Sequence, residues 1–113
     1  MSLRMDVVTP ADSDPTVAKA MRGLSALRLL SKHLEGLRVT TLSCMPYEFA
    51  EQPHLAVQLH TVAGGLTFAE RIGGVDWTVS EVWRLQGYLT WNGYPLTVSA
   101  YERELDPEAE ADG

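Results

Sequence analysis

Two periodicities divide the chain. In SDPTVAKAMRGLSALRLLSKHLEG, Ser13 to Gly36, apolar residues recur every three or four positions, and beyond Gly36 they recur every second one. The first pattern predicts a long amphipathic helix, the second a series of half-buried strands. Both ends of the helix are punctuated. Asp14 can accept hydrogen bonds from the first free amides, and Pro15 sits where an amide would go unpaired. Gly36 suits the left-handed residue that closes a helix. Val17, Ala20, Leu24, Leu27, Ser31 and Leu34 fall on one stripe, which is expected to face a core. Leu29 lies in the opposite face among the polar residues Arg22, Ser25 and Lys32.

The strand region opens with LRVTTLS, passes through a Pro-bounded loop, CMPYEFAEQP, and continues with HLAVQLHTV. In that third segment Leu55, Val57 and Leu59 alternate with His54, Ala56, Gln58 and His60. Gly64-Gly65 and Gly73-Gly74 tolerate positive φ and read as tight turns on either side of a strand, LTFAERI, before VDWTV. This register puts Glu70 on the apolar face, between Phe68 and Ile72. At the end of the chain, Asn92-Gly93 reads as a type I′ hairpin turn. It sets Trp91 across from Tyr94, Leu89 from Leu96, Gly87 from Val98 and Leu85 from Ala100. It also sets Arg84 across from Tyr101, close enough for a cation–π contact. Pro95 has no amide to donate, which marks the last strand as an edge or a bend.

The fold expected from these patterns is α+β in two layers. One long N-terminal helix packs on an antiparallel β-meander of about five or six strands. An alternative replaces residues 79–90 with a second helix, because Thr78 and Glu81 can form a capping box. A single domain is expected over residues 13–103. Residues 1–12 read as a disordered or expression-derived N-terminus, and residues 104–113 as a disordered acidic tail.

Composition narrows the functional classes. The 113 residues include 45% apolar and 21% charged residues, ordinary globular usage, so a packed core is expected. A single cysteine, Cys44, excludes an intrachain disulfide, and no apolar run reaches the roughly 18 residues of a membrane span. A cytoplasmic protein is the default. The net charge of −6 is concentrated at the ends. From Glu102 onward six acids face only Arg103, whereas Lys19, Arg22, Arg28, Lys32 and Arg38 cluster at the helix.

No catalytic constellation announces itself. His54 and His60 lie about 20 Å apart along one strand, at roughly 3.3 Å per residue, too far to share a metal ion. No metal or cofactor is expected, and the balance leans away from an enzyme. The leading expectation is a small non-enzymatic protein-binding or adaptor domain, homodimeric, acting through the helix face (Arg22, Leu29, Lys32) or the terminal edge strand at Pro95. The first alternative is a small-molecule-binding or catalytic domain with a pocket between helix and sheet, formed by Glu70, Trp77, Trp91 and Tyr94. The second is nucleic-acid binding by the basic helix, which the acidic balance disfavours.

Overall fold

The structure, a computed structural model, describes residues 14–108. The chain runs α1 (Pro15–Leu30), β1 (Val39–Met45), β2 (His54–Leu59), α2 (Val62–Arg71), β3 (Asp76–Glu81), β4 (Arg84–Trp91) and β5 (Tyr94–Tyr101). A 3-10 turn, Ser31–Leu34, extends α1, and a second, Arg103–Leu105, comes after β5. The α+β class and the long N-terminal helix are as the pattern predicts. Asp14 caps α1 by accepting from the Thr16 amide at 2.7 Å, with Pro15 in the first turn, and Gly36 adopts φ +78°.

The sheet is not a meander. Its order is β1-β2-β5-β4-β3, and β2 and β5 run parallel at its centre. The segment expected to be a strand, LTFAERI, belongs instead to α2, which carries the chain across to make that parallel pairing possible. Thr61 caps α2, accepting from the Gly64 amide at 2.9 Å. Gly64-Gly65 lies inside the helix rather than in a turn, because Gly65, Phe68 and Ala69 share the face that α2 buries. Gly73-Gly74 does adopt positive φ, but it closes a helix: the Gly73 amide donates to Glu70 O and the Gly74 amide to Ala69 O. This is the paired 5→2 and 6→1 bonding of a Schellman end.

From β3 onward the sequence pattern and the structure agree. β3 and β4 form a hairpin, which removes the alternative helix over residues 79–90. Asn92 (φ 50°) and Gly93 (φ 85°) make the β4–β5 turn, and every expected pair is found, from Trp91↔Tyr94 to Arg84↔Tyr101. The terminal strand is nevertheless interior, contrary to the inference from Pro95. Parallel pairing with β2 starts at Leu55↔Leu96, one residue beyond the proline, so the missing amide interrupts no ladder. The sheet edges are β1 and β3.

Both helices pack on one face of the sheet, α1 over β1 and β2, and α2 over β2, β5 and β4. Leu55, Val57, Leu59, Leu96, Val98 and Ala100 form the buried sheet surface, and Phe68 and Leu30 come down on it from above. α1 is rotated from its expected setting. It buries Lys19, Gly23, Ala26, Leu27 and Leu30, and leaves Val17 and Leu24 at 51% and 63% exposure. The cause is the close approach at Gly23, where a Cβ would collide with Cys44 Sγ and fall 3.0 Å from Pro53 Cβ.

Gly65 plays the same part for α2, since a Cβ there would lie 2.6 Å from Ala100 Cβ. Gly65→Ala should therefore destabilise the protein by about 1–3 kcal/mol, the cost of overpacking, although alanine is the better helix former. Denaturant unfolding followed by circular dichroism measures this; a neutral or stabilising effect would contradict the close approach.

Candidate functional site

The residues singled out in the sequence are dispersed by the fold. Leu29 is half exposed on α1, and Lys32 is exposed in the 3-10 turn that extends it. Arg22 is committed elsewhere, donating from Nη2 to Glu51 O at 3.2 Å. Pro95 is half-buried in an interior strand. Of the expected pocket, Glu70 lies on the solvent side of α2, because the helical period that buries Phe68 and Ala69 turns the next residue outward. Trp91 is buried in the core with its ring edge-on to His33 at 6.3 Å, and Trp77 and Tyr94 pack against that core. Glu70 is thus turned away from the core that the three aromatics line. The aromatics are the inside of the protein.

A different feature stands out in the loop between β1 and β2, residues 46–53. The rings of Tyr47 and Phe49 stack with centroids 5.1 Å apart and planes at 22°. Phe49 is 87% exposed, and Tyr47 and Met45 are exposed beside it in sequence. A phenylalanine presented so fully to water is more informative than an isolated surface leucine.

The loop is held from beneath. Lys19, only 7% exposed, donates from Nζ to Tyr47 O at 2.6 Å and to Glu48 O at 3.4 Å. Arg22 adds its bond to Glu51 O, the Ala50 amide donates to Tyr47 O, and Pro53 is buried against Gly23. Burying an ammonium is costly unless its donors are satisfied, and here backbone carbonyls of the loop satisfy them. Two of the five clustered basic residues, Lys19 and Arg22, thus hold the loop. The sequence held a signal for this element: Met45, Tyr47 and Phe49 alternate through a short loop punctuated by Pro46 and Pro53.

The helix-free face of the sheet carries a second concavity, a hollow of about 370 Å³ bordered by Gln58, Arg84, Gln86, Ser99 and Tyr101. The Arg84 guanidinium lies 5.5 Å from the Trp83 ring centroid and 5.8 Å from that of Tyr101, the cation–π contact expected from the register. Tyr101 hydrogen-bonds to Asp106, which pushes the phenol up from its ordinary pKa. The same bond, with the Glu108 amide, holds the Asp106 carboxyl below its usual range. These contacts tie Asp106, within the expected acidic tail of residues 104–113, back to Tyr101, and Asp106, Pro107 and Glu108 border a hollow with Glu81 and Trp83; residues 109–113 and 1–13 lie outside the described residues. The hollow is open and floored by amide and hydroxyl groups, the solvated surface that antiparallel sheets commonly keep.

Burial pushes the Cys44 thiol up, away from a reactive thiolate. Among the described residues, no three His, Cys, Asp or Glu side chains are grouped to hold a metal ion. No helix among them is long and apolar enough to cross a membrane.

Lys19→Met keeps much of the side-chain length and removes both bonds to the loop. Local stability of residues 46–53 should fall by about 1.5–3 kcal/mol, the range for hydrogen bonds to a charged group. The check is faster chymotryptic cleavage after Phe49 with far-ultraviolet circular dichroism preserved; an unchanged cleavage rate would show that the loop is held by something else. No family model, curated protein or solved structure matches the chain.

Proposed function

We propose that this is a protein-binding module whose recognition element is the pinned loop carrying Tyr47 and Phe49. The observation behind the reading is the 87% exposure of Phe49 in a loop that a buried lysine holds in place. Interfaces draw most of their energy from a few aromatic anchors that enter pockets on the partner. An anchor on a pre-ordered loop loses little conformational freedom when it binds. Tyr47 backs the Phe49 ring, so the two present one continuous apolar surface.

The surroundings indicate the kind of partner. Glu48 and Glu51 are exposed on the same loop, and carboxylates beside an aromatic anchor match an apolar socket rimmed by lysine or arginine. The same acids disfavour insertion of the loop into an anionic lipid surface. Arg22 and Lys19 point their donors into the loop, which turns the charge it presents from basic to acidic. This is a protein-binding reading carried by residues other than Arg22, Leu29, Lys32 and Pro95.

Phe49→Ala should leave folding intact, because the side chain touches little besides Tyr47. It should weaken capture of the partner by roughly thirtyfold, as for a hot-spot residue worth about 2 kcal/mol. The measurement compares proteins retained from the native cells by immobilised wild type and by Phe49→Ala, quantified by mass spectrometry, with titration of the purified partner afterwards. Equal retention of that partner by both would remove the loop from the account.

A further inference from the structure

We infer that β1 pairs with β1 of a second copy of this chain, joining two five-stranded sheets into one across a two-fold axis. The starting point is the contrast between the two sheet edges. An exposed edge strand offers a row of free amide and carbonyl groups, and soluble proteins usually blunt it with charge, proline or a cover. β3 is blunted: it begins at Asp76 and ends at Glu81, and pairing it with a second β3 would bring these acids of the two copies near one another. β1 reads VTTLSCM, seven residues with no charge and no proline. Residues 40 to 43 are all exposed. Pairing β1 of one copy with β3 of another would give an open chain of copies rather than a closed dimer.

Self-pairing of β1 is chemically matched. The ladder of β1 with β2 is irregular between Val39 and Thr41 and regular from Thr41 onward, and antiparallel pairing about a two-fold axis centred on Leu42 sets Leu42 across from Leu42 of the other copy. Thr41 faces Ser43, twice, on the helix-free side of the sheet. Every opposed pair is uncharged, and the two exposed hydroxyl positions meet each other.

The helix above the strand supplies apolar surface at the same edge. Val17, Met21 and Leu24 succeed one another at i, i+4 and i+7 along α1 and are exposed by 48–63%. At 100° per residue these three lie roughly 115–175° from the stripe that α1 buries, Leu24 nearest the sheet, and the right-handed crossover that proteins use between parallel strands turns that side away from β5. Leu42, 39% exposed, is on the helix side of β1. A stable dimer buries about 800 Å² on each partner, more than a strand edge alone offers, and the α1 flank extends the contact. The exposed leucine expected to mark an interface, Leu29, lies on the other flank of the helix.

The test is a charge exchange at exposed positions. Sedimentation equilibrium of the full chain should give twice the monomer mass for wild type. Thr41→Lys with Ser43→Lys opposes like charges in both symmetric pairs and should weaken the dimer by about tenfold or more. Thr41→Lys with Ser43→Glu opposes unlike charges in the same register and should restore it. Circular dichroism melts of the two double variants confirm that both monomers fold. A wild-type monomer at about 100 µM would overturn the inference, as would a dimer in which the two double variants associate equally well.

Discussion

The close approach of each helix to the sheet at a glycine fixes how both helices are turned, and so which residues reach the surface. At Gly23 and Gly65 the positions a Cβ would occupy are already filled, by Cys44 and Pro53 below α1 and by Ala100 below α2. A helix that docks through a glycine has its rotation fixed by that contact, whatever its larger apolar residues would prefer. α1 therefore turns Gly23 inward. Lys19, one turn earlier on the same stripe, is carried under the structure with it, and Val17 and Leu24 are carried out.

Both proposed surfaces derive from that rotation. A lysine brought beneath the loop finds the carbonyls of Tyr47 and Glu48 as acceptors, so the loop is ordered and its aromatics are left pointing out. The leucine and valine displaced from the core are left exposed on the helix that packs on β1, an uncharged edge strand. Two apolar surfaces on a small protein of net charge −6 are costs of exposure that association can relieve. Trp83, Arg84 and Tyr101, by contrast, are largely occupied with one another and with the segment after β5.

Much of the fold is legible where local rules suffice. The helix ends at Asp14, Pro15 and Gly36, and the whole β4–β5 register, come from capping and turn chemistry that act over a few residues. α2 escapes a local reading because two adjacent glycines resemble a turn. Gly65, Phe68, Ala69 and Ile72 keep helical spacing once a glycine is allowed to be an inward residue. With α2 taken as a strand, the parallel β2–β5 pairing has no crossover and cannot be inferred, and Glu70 falls on the wrong side. The alternation of Met45, Tyr47 and Phe49 is visible in the sequence, but the ordering of their loop is not, because its anchor is non-local: nothing near Tyr47 announces a lysine 28 residues away.

The topology that carries both surfaces is tested most directly by residue-resolved amide hydrogen exchange along β5. An interior strand sends alternate amides to β2 and to β4, so Leu96 through Ala100 should all be strongly protected, whereas β3, an edge strand, should keep only every second amide protected. If every second amide of β5 exchanged as fast as the outward ones of β3, β5 would be an edge strand and the sheet a meander. The crossover by α2, and with it the placement of both proposed surfaces, would then be wrong.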